Sequence, residues 1–358
     1  MTLFNKEKRS ALAAQEAAQW IAFGPVIFQA ARILRDSGIL SEIDQAGTNG
    51  ITNDEIAEKL NMSAYGVRVL LESGLGMGLV LVNEGRYTLG KTGYFILHDR
   101  LTKVNMDFVQ DVNYRGLFHL EESIQTGKPV GLKELGNWDT IYQGLSELPS
   151  HIQTSWFNFD HYFSDDAFPK VLPFVYDGTV KKLLDIGGNT GKWAMASVKY
   201  RADIHVTIMD LPGQLNMAKR RVAEANLEDR IDFIETNILD ESVIPPSGYD
   251  AIWMSQFLDC FSEAEIESIL RRCGKALSDD GILIIMEPFW DKQKFEVAAF
   301  CLQQTSLYFT AVANGNSQMY SAETFIKCIH NAGFEVFEEK HRIGISQSLL
   351  KCRKIKKD

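Results

Sequence analysis

A glycine-rich turn follows a short apolar segment in the second half of the chain. The segment Lys182–Ile186 is a predicted strand, and residues 187–191 after it read Gly-Gly-Asn-Thr-Gly. Glycines that follow a strand allow the backbone to approach a ligand closely. Asp210 ends the next predicted strand, 19 residues after Gly191. A carboxylate there can accept hydrogen bonds from both ribose hydroxyls of an adenosine, so the turn and the acid predict an adenosine-containing cofactor.

Two better-known nucleotide-binding motifs do not fit this turn. A P-loop needs a glycine where Ile186 stands and a serine or threonine where Trp193 stands. The NAD fingerprint fits only in part, because the spacing is Gly187-Gly188-x-x-Gly191 and an acid, Asp185, lies two residues before the first glycine. The turn by itself therefore leaves the identity of the adenosine cofactor open.

The elements that position this turn alternate between strands and helices from Lys182 onward. The predicted strands are Lys182–Ile186, His205–Met209, Ile231–Glu235, Ala251–Met254 and Gly281–Met286. The predicted helices are Trp193–Tyr200, Gln214–Ala225, Glu263–Ala276, Phe295–Tyr308 and Ala322–Ala332. This order indicates an α/β domain with a mostly parallel sheet covered on both faces. Ligands of such sheets bind at the carboxyl ends of the strands.

The N-terminal third is predicted to be a helical domain with one hairpin. Residues 8–36 have helical periodicity, with a break expected near Gly24 because Pro25 follows it. Thr52 and Glu55 form a predicted capping box, and a hairpin is expected around Asn83–Gly85. Together these elements indicate a winged helix. Its second helix carries Arg68 as its one cation, which disfavours DNA binding and favours packing on a second copy of the chain.

The segment between these two regions is rich in aromatic residues. Helices are predicted over Asn105–Thr126, Trp138–Glu147 and Pro149–Phe163. Its aromatic side chains are expected either to pack in a core or to wall a pocket for a flat ligand. We therefore divide the chain into a winged-helix dimerisation domain (residues 1–104), a helical pocket segment (105–172) and a Rossmann-like domain (173–358).

Composition excludes several classes of protein. The 358 residues carry 37 Lys and Arg against 47 Asp and Glu, a net charge of −10, which argues against nucleic acid as a partner. The basic cluster at 351–357 is interpreted as a solubilising chain end. Five cysteines without a Cys-x-x-Cys pair favour a reducing compartment and no metal site. No apolar run of 18 residues is present, so we expect a cytoplasmic protein with no membrane partner.

Taken together, five motifs resemble the S-adenosylmethionine-dependent O-methyltransferases of the plant caffeate and bacterial polyketide-tailoring type. The motifs are Tyr87–Gly93, Asp185–Gly191, Asp210-Leu211-Pro212, Glu287-Pro288 and Gly333-Phe334. The resemblance covers nearly the whole chain. It implies a winged-helix dimerisation domain, a Rossmann-like methyltransferase domain, S-adenosylmethionine as cofactor and a homodimer formed through the N-terminal domain.

The resemblance also implies a set of cofactor-binding residues. Residues Asp185–Gly191 would surround the methionine part of the cofactor, with Asn189 in place of a usual glycine; asparagine tolerates the left-handed conformation. Asp210 would bind the ribose. The full set of cofactor residues is Asp185, Gly187, Gly188, Asn189, Gly191, Asp210, Leu211, Asn237, Ile238, Ser255 and Phe261.

The general base is where this chain departs from the family. Asp259 stands where the family has its catalytic histidine, and Glu287 matches a glutamate that orients that histidine. Three alternatives follow. Asp259 is itself the base, or His161 from the aromatic segment is the base and Asp259 orients it. The third alternative is that there is no base, and the acceptor is an acidic phenol or a carboxylate.

The resemblance thus predicts a methyl transfer to the hydroxyl of a small aromatic acceptor. The aromatic segment and the helical residues Phe300, Tyr308 and Phe309 would wall the acceptor pocket. The alternatives are a family member that methylates nitrogen or a carboxylate or does other chemistry, and a non-catalytic protein that senses S-adenosylmethionine or binds DNA.

Overall fold

The computed structural model describes residues 3–178 and 180–356, which form two compact units. One unit comprises residues 4–107, and the other comprises residues 108–356 together with residue 3. Helix α7 (Arg100–Phe108) runs across the predicted boundary at 104/105, and helix α10 (Ser150–Val175) runs across the one at 172/173. The division into three segments stays a prediction.

Unit 4–107 is helical with one small sheet. Its helices are α1 (Ala11–Ala22), α2 (Gly24–Asp36), α3 (Ile39–Ala46), α4 (Asn53–Leu60), α5 (Ala64–Gly76), α6 (Lys91–His98) and most of α7. Its strands are β1 (Ile51–Thr52), β2 (Val80–Asn83) and β3 (Arg86–Leu89), all antiparallel in the order β1-β3-β2. The predicted helices and hairpin are present. Strand β1 was not predicted, because two residues are too few to show the alternating pattern of a strand.

Local signals explain the ends of these elements. The capping box at α4 is present, since Thr52 Oγ1 accepts from the Glu55 backbone N–H at 3.2 Å and Glu55 Oε2 accepts from the Thr52 N–H at 2.7 Å. Glu84 and Gly85 both have positive φ, as a two-residue hairpin turn requires.

Among the described residues, no single helix is long and apolar enough to span a membrane. The pair α1–α2 passes on length and composition, but it is bent by 69°.

Unit 108–356 begins with irregular helices. A π-helical turn (Val109–Asn113) and short 3₁₀ turns (Gly116–His119 and Val130–Glu134) accompany α8 (Leu120–Thr126) and α9 (Ile141–Gly144). The long helix α10 then leads to the sheet. The prediction of one continuous helix over residues 105–126 is therefore wrong, because this segment is divided into several short helical pieces. Of the predicted helix 138–147, only Ile141–Gly144 is α-helical.

The predicted α/β alternation is confirmed. The strands are β4 (Lys182–Ile186), β5 (His205–Asp210), β6 (Ile231–Glu235), β7 (Ala251–Ser255), β8 (Ile282–Pro288), β9 (Phe334–Ile343) and β10 (Gln347–Lys354), in the order β6-β5-β4-β7-β8-β10-β9. The helices are α11 (Lys192–Tyr200), α12 (Pro212–Glu224), α13 (Glu263–Ala276), α14 (Glu296–Tyr308) and α15 (Ala322–Asn331). Strands β4 to β8 are parallel, and β10 is antiparallel to both of its neighbours. Apolar residues of each strand alternate between two buried cores, one on each face of the sheet.

The basic C-terminal cluster is not a free chain end. Residues 351–354 belong to β10, and Lys351 is only 4% exposed. Its ammonium pairs with Asp177 at 3.0 Å and with Glu338 at 3.2 Å, so that the buried charge is compensated. The prediction of a solubilising end is wrong for these residues, and Lys357 lies outside the described residues.

Candidate active site

An open cleft lies at the carboxyl ends of β4, β5 and β7. Its empty volume is about 1150 Å³, including the mouth that is open to solvent. Its walls come from the turn after β4, the ends of β5 and β6, the segment after β7, and residues of α9 and α10. The residues that line it include Tyr142, Trp156, Asp160, Gly187, Asn189, Asp210, Leu211, Asn237, Ile238, Gln256, Cys260, Phe261, Glu265 and Asn314.

The glycine-rich turn has the backbone conformation that its residues predict. Gly187, Asn189 and Gly191 have φ of 76°, 50° and 77°, so Asn189 does adopt the left-handed conformation. A Cβ on Gly187 would lie 2.1 Å from the ring of Phe257, and one on Gly188 would lie 2.7 Å from the carboxylate of Asp185. Neither position has room for a larger residue.

Asp210 fastens this turn to the end of β5. Its Oδ2 accepts from the Asn189 backbone N–H at 2.8 Å, and its Oδ1 accepts from the Leu211 N–H at 2.7 Å. Burial raises the pKa of Asp210 to about 6. Each carboxylate oxygen keeps a further lone pair, so the side chain can accept two more hydrogen bonds from a ligand in the cleft.

The far wall of the cleft is formed by Asn237, Ile238 and Phe261. Asn237 Oδ1 accepts from the Leu239 N–H at 3.0 Å, which fixes the turn after β6. The guanidinium of Arg272 on α13, which we did not single out in the sequence, donates to the Ile238 carbonyl at 2.7 Å and to the Val243 carbonyl at 2.8 Å. Arg272 thereby holds this wall in place from behind.

A smaller cavity lies under the glycine-rich turn. It is lined by residues of the turn, α10, α11 and β7, and Asp185, Asn189, Ser255 and Gln256 are among them. Each of these four has a buried polar atom without a protein partner: Asp185 Oδ2, Asn189 Oδ1, Ser255 Oγ and Gln256 Oε1. Buried polar groups normally have partners, so this cavity suits a polar, cationic group such as the α-ammonium of an amino acid.

Asp259 and Glu287 form a buried acidic pair behind the cleft. Asp259 is 5% exposed and Glu287 is 1% exposed. Glu287 Oε1 accepts from the Phe257 and Leu258 N–H groups at 2.9 and 2.8 Å, which positions the turn that carries Asp259. Burial raises the pKa of Asp259 to about 7, and burial together with the Asp259 charge holds the pKa of Glu287 well above its ordinary value. Cys260 lines the cleft next to Asp259, whereas Asp259 itself does not.

Asp160, which sequence reasoning missed, also presents its carboxyl group to the cleft. It lies on α10, lines both cavities, and has a side chain that is 22% exposed. Its Oδ2 accepts from Asn189 Nδ2 at 3.2 Å, and its Oδ1 accepts from Gln256 Nε2 at 3.5 Å. Burial, and then the charge of Asp259, raise its pKa to about 7. The available signal was a single acid within the aromatic run 156–163.

His161 lies next to Asp160 but on the smaller cavity. Its Nε2 is 3.3 Å from Thr190 Oγ1 and 3.8 Å from Asp160 Oδ2, and its ring stacks on Phe157. Burial, and then the charge of Lys192, lower its pKa to about 3. It does not line the larger cleft, so the structure does not support the alternative in which His161 is the base.

The predicted aromatic wall is reduced to Tyr142 and Trp156. Trp156 Nε1 donates to the Tyr308 hydroxyl at 2.8 Å, which fixes the indole at the cleft. Tyr308 and Phe309 are themselves buried in a core, and Phe300 is exposed on α14. None of these last three lines the cleft, and their predicted role in the acceptor wall stays a prediction.

Two family models match the chain. The Dimerisation2-like domain matches residues 15–87, and the O-methyltransferase domain matches residues 169–335. The chain is 24% identical over 323 residues to the L-tyrosine C(3)-methyltransferase of Streptomyces lavendulae. This alignment covers 89% of this chain and 86% of that protein. It is 25% identical over 243 residues to the 3-hydroxy-5-methyl-1-naphthoate 3-O-methyltransferase of Streptomyces sahachiroi. This second alignment covers 67% of this chain and 68% of that protein.

A solved structure shares the fold. The O-methyltransferase NcsB1 from neocarzinostatin biosynthesis, in complex with S-adenosylmethionine and 2-hydroxy-5-methyl naphthoic acid, matches with a TM-score of 0.69 at 20% identity. The match covers 92% of this chain and 96% of that one. At this identity the likeness shows the fold.

Both domains and the sheet thus point to one class, the S-adenosylmethionine-dependent methyltransferases. Residues 169–335 match the O-methyltransferase domain of that class. The predicted family, enzyme class and cofactor are confirmed. The residues present fit the cofactor, since the smaller cavity with its orphaned polar atoms suits the amino-acid end and Asp210 can receive the ribose. The roles of single residues remain proposals.

Proposed function

We propose that this enzyme transfers a methyl group from S-adenosylmethionine to the hydroxyl of a small aromatic acceptor, with a carboxylate as the base. The observation that carries this proposal is the placement of Asp160. Its carboxyl lies in the cleft between the glycine-rich turn, through Asn189, and the aromatic side chain of Trp156 one helical turn before it on α10.

The bound cofactor supplies an activated methyl group on a positively charged sulfur, so that alignment provides much of the rate. The chain has two further tasks. Tyr142 and Trp156 hold a flat ring against the cleft wall, and Asp160 accepts the hydroxyl proton while the new O–C bond forms. A base is needed because a phenol, with a pKa of about 10, is mostly protonated at neutral pH.

The pKa of about 7 suits Asp160 for this task. General bases are most effective when their pKa lies near the working pH. An ordinary aspartate is a poor base, and here burial and the neighbouring Asp259 raise the pKa of Asp160. We assign Asp259 the role of a positioning residue whose charge tunes Asp160, and this replaces the sequence-based alternative in which Asp259 itself takes the proton.

Single substitutions test these roles. Asp160→Asn is expected to lower kcat about 100-fold or more, within the range for loss of a positioned base. Asp259→Asn is expected to have a smaller effect and to shift the pH–rate profile of kcat to lower pH. Asp166→Asn on the same helix is the control, because its exposed carboxylate pairs with Lys170. Full activity in Asp160→Asn would contradict the assignment, and His161→Ala would then be the next variant.

Methylation of a ring carbon next to the hydroxyl is the second candidate. It is favoured by the relative from Streptomyces lavendulae, which is named as a C(3)-methyltransferase and matches over 89% of this chain. Removal of the phenol proton raises the nucleophilicity of both the oxygen and the adjacent carbon, so the same base serves either outcome. Proton and carbon NMR of the product distinguish a methoxy group from a ring methyl group. A product without an added methyl group would favour the non-methylating alternative.

The first measurement is the affinity of the protein for S-adenosylhomocysteine, the product that the cofactor leaves after methyl transfer. We expect micromolar binding of S-adenosylhomocysteine by calorimetry and no binding of NAD, because the turn lacks the dinucleotide spacing. Absence of binding would mean that Asn189 and Asn237 mark a lost site. The proposal of a methyltransferase would then fail before any acceptor is tested.

We also propose that the N-terminal unit forms a homodimer. Helices α1 and α2 and the residue between them expose a set of large apolar side chains, Trp20, Ile21, Phe23 and Val26. Contiguous exposed apolar surface of this kind marks interaction sites. Light scattering is expected to give a mass near 80 kDa, about twice the chain mass of 40.3 kDa, and Ile21→Glu to lower it. A monomer in the unmodified protein would exclude the dimer.

A further inference from the structure

Gln256, the residue directly after β7, has a backbone conformation that most side chains rarely adopt. Its φ is 47°, in the left-handed region that favours glycine and asparagine. Strained backbone of this kind persists only where neighbouring contacts fix it, and it is concentrated at functional sites. The contacts of Gln256 therefore indicate whether it has a role in binding.

Three contacts hold Gln256 in this conformation. Its backbone N–H donates to the Met286 carbonyl of β8 at 2.9 Å. The next N–H, that of Phe257, donates to Glu287 Oε1 at 2.9 Å. The ring of Phe257 lies against Gly187, where a Cβ would come within 2.1 Å of it. A change of φ at Gln256 would disturb all three contacts, so the surrounding structure fixes the strained backbone.

The side chain of Gln256 lies between the larger cleft and the smaller cavity, and it lines both. Its Nε2 is 3.4 Å from the main-chain carbonyl oxygen of Asp160 and 3.5 Å from Asp160 Oδ1. A carbonyl oxygen can only accept a hydrogen bond, so the amide nitrogen faces Asp160 and the amide oxygen faces away from it. That oxygen, Gln256 Oε1, is buried and has no partner among the described residues.

The smaller cavity has three more oxygen atoms of this kind. Asp185 Oδ2, Asn189 Oδ1 and Ser255 Oγ are also buried without a partner in the described part of the chain, and their residues line this cavity. Lys192 lines it too, but its ammonium pairs with both carboxylate oxygens of Asp165, at 2.8 and 2.7 Å. Oxygen atoms that lack a donor fit a ligand ammonium, which can donate three hydrogen bonds.

We infer that Gln256 is a cofactor-binding residue whose Oε1 accepts a hydrogen bond from the α-ammonium of S-adenosylmethionine. The inference rests on the proposed function, with the amino-acid end of the cofactor in the smaller cavity. The left-handed backbone serves this contact, because it places the amide between Asp160 and that end of the cofactor. Gln256 lies outside the set of cofactor residues predicted from the sequence, since a single glutamine after a strand gives no spacing signal.

Two ligands that differ at the amino-acid end test the inference without requiring turnover. S-adenosylhomocysteine has that end, and 5′-methylthioadenosine keeps the adenosine and the sulfur but lacks it. Gln256→Met removes the amide and keeps a side chain of similar length. By calorimetry with the full chain, we expect this variant to bind S-adenosylhomocysteine about tenfold more weakly, as for loss of a hydrogen bond to a charged group. Its affinity for 5′-methylthioadenosine should change by about twofold or less.

Gln304→Met on the exposed face of α14 is the control, and it should change neither affinity. Equal weakening of both ligands in Gln256→Met, or unchanged binding of S-adenosylhomocysteine, would overturn the inference. Failure of the unmodified protein to bind S-adenosylhomocysteine would instead refute the proposed function, so the two failures are distinguishable.

Gln256→Ala and Gln256→Gly separate the strain from the contact. Both remove the amide, so both should weaken S-adenosylhomocysteine binding as Gln256→Met does. Only glycine adopts the left-handed conformation without strain, so we expect a higher Tm for Gln256→Gly than for Gln256→Ala. Glu84→Ala and Glu84→Gly make the same comparison at a φ of 49° in an exposed hairpin turn, and they should leave the ligand affinity unchanged. A Tm of Gln256→Gly equal to or below that of Gln256→Ala would overturn the role assigned to the strained backbone.

Discussion

Asp160 and Asp259 show what a sequence can and cannot reveal about a site. Asp259 could be identified because it occupies the position of a catalytic histidine after β7. Asp160 could not, because one acid in a helix has no spacing signal, and its importance depends on how α10 lies over the turn after β4. The two acids are 99 positions apart in the chain, and only the fold brings their charges into interaction.

We expect Asp160 to lower the stability of the folded protein at the pH values at which its carboxylate is charged and can act as a base. Its pKa is raised from 3.8 to about 7, so between about pH 4 and 7 the folded protein binds more protons than the unfolded chain. Stability therefore falls as the pH rises through this window. We expect Asp160→Asn to have a higher Tm than the unmodified protein at pH 8 and a similar Tm at pH 4.5. Thermal unfolding at both pH values measures this, and equal Tm values at pH 8 would contradict it.

Asp210 is expected to matter for both the ligand and the turn. Asp210→Ala removes the acceptor for ribose and releases the backbone N–H groups of Asn189 and Leu211. We expect the affinity for S-adenosylhomocysteine to fall at least tenfold, which corresponds to about 1.4 kcal/mol. Calorimetry checks this value, and Asp203→Ala, two residues before the start of β5, is the control. An unchanged affinity would remove the ribose assignment.

At the scale of elements, the alternation of strands and helices could be predicted from the sequence, and the contacts between distant segments could not. The five parallel strands were predicted because each is a short run rich in apolar residues, and a helical pattern follows four of them. Strands β9 and β10 were missed. The basic residues 351–354 look like a solvated end, and the ion pairs of Lys351 with Asp177 and Glu338 come from distant elements. The irregular turns of residues 109–134 are set by tertiary packing, which the local pattern does not encode.

The glycine-rich turn has no room for a side chain at Gly187 or Gly188. Gly187 has a φ of 76°, and a Cβ there would overlap the ring of Phe257. Gly187→Ala is expected to lower the free energy of unfolding by roughly 1–3 kcal/mol and to weaken cofactor binding. Gly76→Ala is the control, since a Cβ there meets no atom within 4 Å. Denaturant unfolding of both variants gives the comparison, and an equal effect would show that the turn can adjust.

At the scale of the molecule, both cavities belong to unit 108–356. Addition of S-adenosylhomocysteine should therefore slow hydrogen exchange in peptides that contain residues 185–191, 209–211, 236–239 and 256–261. Peptides from residues 4–107 should change little, because that unit lines neither cavity. Exchange mass spectrometry with and without the ligand tests this. Protection centred on residues 4–107 would place the ligand elsewhere.

Asp160, Asp210 and Glu265 line the cleft, and their negative charge has a consequence for the release of product. Methyl transfer converts a cationic sulfonium into a neutral thioether, so the attraction of Asp160 for the spent cofactor weakens as soon as the reaction is over. We expect the dissociation constant of S-adenosylhomocysteine to exceed that of S-adenosylmethionine, and the ratio to shrink in Asp160→Asn. Calorimetry with both compounds measures the ratio, and a ratio below one would contradict the expectation. An enzyme with this property clears its own inhibitor, and its turnover stays fast as product accumulates.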